Sequence, residues 1–269
     1  MHIQLKQEIH LLPILLGCGS IRCSAGIGRE LVRQLYPQTQ KILAVDYLPE
    51  ALESLQSEFP DLVIVCADLS LKEGNRTILD WVNSNWTQVD VCFANAGRAA
   101  YGDASQQNWE EMDLLFQLNV HSPIQLGLAL KRTFSSHSLR HVITCSAIAH
   151  WAIPGYSLYG STKAAILQWA ESLWAERTGD WLTLVFPIAT ATSFFDVAGT
   201  DIPKAFPIQS PREVATAMLL GVAKGKKKIF PSILFRSLLF LNRFLFFLQP
   251  LTQYLEYKKF KNWQSKSTS

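Results

Sequence analysis

The sequence predicts an α/β fold, a doubly wound parallel sheet in one domain, and three observations carry that prediction. Short apolar runs alternate with longer helical stretches along most of the chain. The length, 269 residues, is one that such folds reach undivided. Hydrophobic residues make up 48%, ample for a core on both faces of a sheet. No internal repeat or flexible linker interrupts the pattern. Residues 1–230 therefore read as one domain and 231–269 as a hydrophobic, basic tail.

In chain order, LLPILLG (11–17) reads as the first strand and GIGRELVRQLY (26–36) as the first helix. KILAVD (41–46) and LPEALESLQSEF (48–59) follow, then LVIVCAD (62–68) and LKEGNRTILDWVNSN (71–85). VDVCFANAG (89–97) precedes a helical stretch from Gln106 to Ser135. HVITCS (141–146) leads into a helix holding Tyr159 and Lys163, and WLTLVFP (181–187) is the last strand of the series. SPREVA (210–215) opens a further helix with Ser210 as N-cap. Right-handed crossovers between such strands give a Rossmann-like sheet.

The net charge of +3 conceals an asymmetry. From Lys224 onward there are ten Lys or Arg and one acid, Glu256, so the body is mildly acidic and the tail strongly basic. The five cysteines show no metal or CxxC spacing; Cys66, Cys92 and Cys145 lie in apolar runs and are expected as buried thiols of a reduced, cytoplasmic compartment. The apolar run 11–16 is too short for a secretory signal and contains Pro13. No metal site and no nucleic-acid partner are expected.

The chemistry centres on SAIAHWAIPGYSLYGSTK (146–163). Tyr159 and Lys163, four apart, share one helix face, so an ammonium can lower the pKa of a nearby phenol. A phenol poised nearer neutrality exchanges protons with an alcohol or carbonyl oxygen. Ser146, at the carboxyl edge of a strand, can hydrogen-bond the same oxygen. Alone, Tyr159 and Lys163 read equally as surface residues at a helix start.

With that spacing and its strand–loop–helix context, the sequence resembles the short-chain dehydrogenase/reductase family over about residues 11–230. The resemblance implies catalytic roles for Asn119, Ser146, Tyr159 and Lys163, with Asn119 holding a water in a proton relay and Lys163 also binding the nicotinamide ribose. It implies NAD or NADP as cofactor. Gly26, Ile27 and Gly28 match the end of the family's glycine-rich turn, but Arg22 stands where its first glycine is expected. Either the loop from Gly17 is several residues longer or the first glycine is lost; a strand ending near Gly17 favours the longer loop. Asp46 stands where the family's acid accepts the ribose hydroxyls and favours NAD, although it could simply cap the next helix, and Arg22 could hold a 2′-phosphate instead. Asp68 and Leu69 match the pair beside the adenine, and Asn95, Ala96 and Gly97 the turn against the cofactor. Pro187, Thr190 and Thr192 match the segment that holds the carboxamide, with Ile188 replacing a glycine, a change tolerable at negative φ. Phe194, Phe195, Trp151 and Phe206 suggest an apolar pocket, with residues 194–209 closing over it.

In the tail, KGKKK (224–228) precedes a segment, 229–251, in which fifteen of twenty-three residues are apolar. A helix between Pro231 and Pro250 would span roughly 27 Å, would barely cross a bilayer, and would carry Arg236 and Arg243 inside it. A helix lying in the membrane interface suits this pattern better, with the lysines meeting anionic headgroups. The competing expectation is a helix packed over the substrate pocket or against a second subunit.

The expected protein is thus an NAD(P)-dependent oxidoreductase interconverting an alcohol and a lipophilic ketone or aldehyde, forming a homo-oligomer and lying peripherally on the cytoplasmic membrane face. Two rivals stand beside it. An enoyl-thioester reductase would use a Tyr seven before the Lys, where Tyr156 stands; a degenerate scaffold would keep the fold without turnover.

Overall fold

A computed structural model describes residues 14–17, 26–39, 41–192, 198, 202–203 and 205–267. Seven parallel strands run in the order β3-β2-β1-β4-β5-β6-β7. They are β1 (Ile14–Gly17), β2 (Ile42–Asp46), β3 (Val63–Cys66), β4 (Val91–Ala94), β5 (Arg140–Thr144), β6 (Leu182–Val185) and β7 (Lys228–Ile229). The strand order reverses between β1 and β4, so a crevice opens there beyond the carboxyl ends of the strands.

Side chains alternate along each strand, and both faces are buried. On one face Ile42, Ala44, Phe93 and Val142 meet α1 (Gly26–Leu35), α2 (Pro49–Glu58) and α7 (Pro211–Ala223). On the other, Leu43, Val45, Cys92 and Ile143 meet α3 (Lys72–Asn85), α5 (Ser122–Thr133) and α6 (Ser157–Ala175). Each fully buried Leu or Ile of these layers contributes about 1.5–3 kcal/mol. At the ends, Arg29 and Arg33 of α1 pair with Glu58 of α2. Ser210 and Glu213 close α7 with a reciprocal capping box.

The stretch 106–135 is not one helix. It comprises α4 (Trp109–Phe116), a π-helical turn over Gln117–His121, and α5. Pro123 has no N–H to give the carbonyl four residues back, that of Asn119, and its ring crowds that carbonyl. The wide turn accommodates both effects and aims Asn119 inward.

The tail also differs from the expected single helix. It folds as α8 (Ile233–Leu241), a turn through Arg243–Phe247, and α9 (Leu248–Ser267), which begins just ahead of Pro250. Among the described residues no helix is long and apolar enough to cross a membrane. The lysine run lies apart from this hairpin. Lys227 pairs with Asp180 at 2.8 Å and Lys228 with Glu171 at 2.6 Å, and Lys226 and Lys227 sit at the amino end of β7, opposite the end from which α8 departs. Cys92 and Cys145 are buried, but Cys66, at the end of outermost strand β3, is exposed, contrary to its apolar sequence context.

Candidate active site

The strand carboxyl ends gather the sequence-predicted residues. Ser146 follows β5, caps the short 3₁₀ turn 147–149 through Ile148 N–H (3.3 Å), and hydrogen-bonds the Tyr159 phenol. Tyr159 and Lys163 both lie on the inward face of α6 and are 7% and 3% exposed. The Lys163 Nζ donates to the Thr144 carbonyl at 3.0 Å and stands 5.7 Å from the Tyr159 ring centre.

The electrostatics differ from the expected pattern. Burial pushes the Tyr159 phenol above its ordinary value, against a smaller opposing effect of the Ser146 hydrogen bond. Burial likewise pushes Lys163 down. At 5.7 Å from the ring, with Nζ bonded to a carbonyl, the ammonium does not overcome desolvation of the phenol. Tyr159 is therefore a neutral phenol near pH 7.

Asn119, 1% exposed, donates from Nδ2 to the Arg98 carbonyl (2.9 Å) and to Thr162 Oγ1 (3.0 Å), and its Oδ1 accepts from Arg98 N–H (2.9 Å). It ties the loop after β4 to α6. A Cβ on Gly97 would stand 3.2 Å from Asn119 Oδ1 and 3.5 Å from Lys163 Nζ, so that glycine keeps the loop tight against the pair. Asn95 Oδ1 accepts from Thr144 Oγ1 at 2.9 Å, joining β4 to β5, and Ala96 packs beneath.

The glycine turn is partly described. β1 ends at Gly17 and α1 begins at Gly26, which leaves eight residues between them and accords with a longer loop; Arg22 lies outside the described residues. Gly26 has φ +85°, and a Cβ there would come within 3.2 Å of Thr192. Gly28 is buried, and the first turn of α1 carries no acidic residue. A helix N-terminus approached this closely and free of negative charge fits a pyrophosphate. Asp46 is buried at the end of β2 and accepts from Leu48 N–H at 3.1 Å, so part of its hydrogen bonding serves the turn into α2. Asp68 accepts from Ser70, and Leu69 is buried beside it. Pro187 accepts from Ala147 N–H through its carbonyl (2.9 Å), while Thr190 bridges to Gln209. Arg177 alone among the described non-glycine residues has positive φ, so Ile188 fits its position unstrained.

A cavity of about 340 Å³ opens over these groups. Ser146, Tyr159, Ile27 and Thr192 lie on it beside Trp151 and Ile188, and Phe206 is at its rim, 89% exposed. Phe194 and Phe195 lie outside the described residues. Two further groups that the sequence raised only as alternatives also lie here. Tyr156 lies on the cavity, its ring 6.1 Å from that of Tyr159 and 4.7 Å from that of Tyr101. The far wall comes from the tail: Phe235 and Leu238 of α8, and Thr252 and Glu256 of α9. Helix α9 is held there by Gln253 to the Ala152 carbonyl (3.1 Å), Gln264 to Asp103 (2.5 Å), and Phe260 and Trp263 against Tyr101. Burial and the Glu256 charge push Tyr101 up to about 12.

A doubly wound sheet with a serine, a buried tyrosine and a buried lysine at the carboxyl end of its strands defines a class of oxidoreductases. The short chain dehydrogenase family model matches residues 21–196, and the chain belongs to that family. It is 29% identical over 150 residues to carbonyl reductase (NADPH) 2 of Sus scrofa, covering 55% of this chain and 60% of that one. It is 25% identical to 17-beta-hydroxysteroid dehydrogenase 13 of Mus musculus, covering 80% of this chain and 73% of that one. Among solved structures, a short-chain dehydrogenase from Sphingobium yanoikuyae in complex with NADPH matches with TM-score 0.71 at 23% identity, over 82% of this chain and 89% of the other. A short chain dehydrogenase/reductase from Burkholderia phymatum in complex with NAD gives TM-score 0.73 at 17% identity, over 90% and 96%.

Proposed function

We propose that this chain is an NAD(P)-dependent oxidoreductase that interconverts an alcohol and a lipophilic ketone or aldehyde. The observation that carries the reading is the Tyr159 phenol, hydrogen-bonded to Ser146 and one helical turn from buried Lys163, on a largely apolar cavity. Gly17, Gly26, Ile27 and Gly28 would hold the pyrophosphate. Asp46 would meet the adenosine ribose, Asp68 and Leu69 the adenine, and Lys163 the nicotinamide ribose. Asn95, Ala96, Gly97, Pro187, Thr190 and Thr192 would line the nicotinamide end. The bound dinucleotide supplies or accepts the hydride.

The protein's own part is alignment and proton transfer. Ser146 orients the carbonyl oxygen, and Tyr159 gives it a proton from its hydroxyl. Lys163 steadies the charge left on the phenolate, and Asn119 fixes the loop beside it. Buried, acidic Asp46 favours NAD, with NADP as the alternative. We also infer a homo-oligomer through α5 and α6, and peripheral membrane contact through the tail.

The test is nicotinamide absorbance with a panel of ketones and aldehydes of increasing chain length. Turnover should rise with apolar length and fall by about 10²–10⁴ in Tyr159→Phe. Undiminished activity in Tyr159→Phe would transfer the role to Tyr156 and the reaction to enoyl-thioester reduction.

A further inference from the structure

We infer that the outer surface of the α8–α9 hairpin seats on an anionic bilayer, and that the substrate cavity opens onto that bilayer. A lipophilic substrate would then reach Tyr159 from the lipid rather than from bulk water. The inference rests on the carbonyl–alcohol reading above.

Twelve of the eighteen large hydrophobic side chains exposed among the described residues fall within the twenty-five residues 233–257. Phe246 is 81% exposed and Phe244 69%, both in the turn between the helices. Scattered exposed apolar residues are ordinary, but such a concentration marks an interaction surface.

The same hairpin is basic. Arg236, Arg243, Lys258 and Lys261 are exposed, while the tail's one acid, Glu256, lies on the cavity and is bonded to Lys259 at 2.6 Å. A second copy offering this face would bring like charges together, whereas an anionic headgroup layer complements them. Lys258 lies over the Tyr254 ring at 4.6 Å and Lys261 over Tyr257 at 5.8 Å, with both tyrosines exposed. Amphipathic rings beside long cationic stems are the composition of a membrane–water boundary.

The cavity joins this surface. Leu234, 55% exposed on α8, lies on the cavity, as does the rim residue Phe206. The hairpin thus has two sides: Phe235, Leu238, Thr252 and Glu256 wall the cavity while the Phe-rich turn faces outward.

The test uses the full chain with vesicles of phosphatidylcholine alone or mixed with phosphatidylglycerol, and two ketones, one water-soluble and one partitioned into the vesicles. Sedimentation with the anionic vesicles should exceed that with neutral ones at least tenfold and weaken between 0.1 and 1 M salt, where the screening length falls from about 10 to 3 Å. Arg236→Gln with Arg243→Gln should weaken anionic binding by roughly thirtyfold at low salt. Phe246→Asp with Phe247→Asp, both outside the cavity lining, should abolish sedimentation and lower kcat/KM for the vesicle-borne ketone at least tenfold, leaving the soluble ketone unaffected. The soluble ketone also reports that the variant is folded. Equal loss on both ketones, or no vesicle binding by an enzyme active on the soluble ketone, overturns the inference. So does a dimer that the same Phe variant splits, because the face then belongs to a second copy. Vesicle binding without turnover of either ketone would refute the oxidoreductase reading and leave the surface standing.

Discussion

A buried phenol beside a buried ammonium has consequences for pH. Burial holds Tyr159 above its ordinary value, so in the free enzyme it carries its proton throughout the neutral range. Carbonyl reduction should therefore be flat across neutral pH. Alcohol oxidation, which needs the phenolate, should climb as pH rises into the alkaline range; a flat oxidation profile would remove Tyr159 from proton transfer. Tyr159→Phe should lower kcat by about 10²–10⁴ with dinucleotide affinity nearly unchanged, because only the hydroxyl is lost. Lys163→Ala should lose both turnover and affinity. For cofactor choice, Asp46→Ala should narrow the preference of kcat/KM for NAD(H) over NADP(H). A strong NADP(H) preference in the unmutated chain would instead favour Arg22 as a phosphate ligand. The Ser–Tyr–Lys group was legible in the sequence because helix pitch and the strand edge fix its spacing. The charge state of Tyr159 was not, since desolvation depends on packing that no local pattern encodes.

Among elements, the contact between α5 and β5 is the most exacting. The His141 ring is fully buried against Gly127, where an added Cβ would approach its Cδ2 to 2.4 Å, and its Nε2 meets the Pro123 carbonyl at 2.8 Å. Gly127→Ala should destabilise the protein by about 1–3 kcal/mol through overpacking, measured by denaturant midpoint. Burial lowers His141 to about 4 from an ordinary 6.5. The unfolded chain takes up that proton first as pH falls, so this stabilisation is complete above pH 6.5 and is lost progressively as pH drops through the interval to about 4. Thermal midpoints measured across that interval should fall with pH, and a midpoint that stays level would place His141 outside the fold's pH response. Six strands and their helices were legible because strands buried on both faces read as unbroken apolar runs between helical stretches. Two-residue β7 was too short to register, the 106–135 helix hid the break imposed by Pro123, and the tail's apolar composition did not disclose its turn at Arg243–Phe247.

At the scale of the molecule, the cavity is built from opposite ends of the described chain. Gly26 lies on it, and so does Glu256. A chain ending at Phe247 keeps every strand and the Tyr–Lys helix but loses Thr252, Glu256 and the aromatic cover of Tyr101. It should bind dinucleotide with unchanged affinity while KM for bulky substrates shifts; lost dinucleotide binding would mean that α9 supports the sheet itself. The sequence allowed a tail helix over the pocket but did not disclose its contacts, because α9 meets Ala152, Asp103 and Tyr101, each more than a hundred residues back. The Tyr101 ring, packed between Tyr156 and Trp263, also sets an order of events during synthesis. Every strand and the residues Ser146, Tyr159 and Lys163 precede α9 in the chain, so a nascent chain can assemble them around a cleft that is still open. On the proposed function, discrimination between substrates would wait until α9 docks.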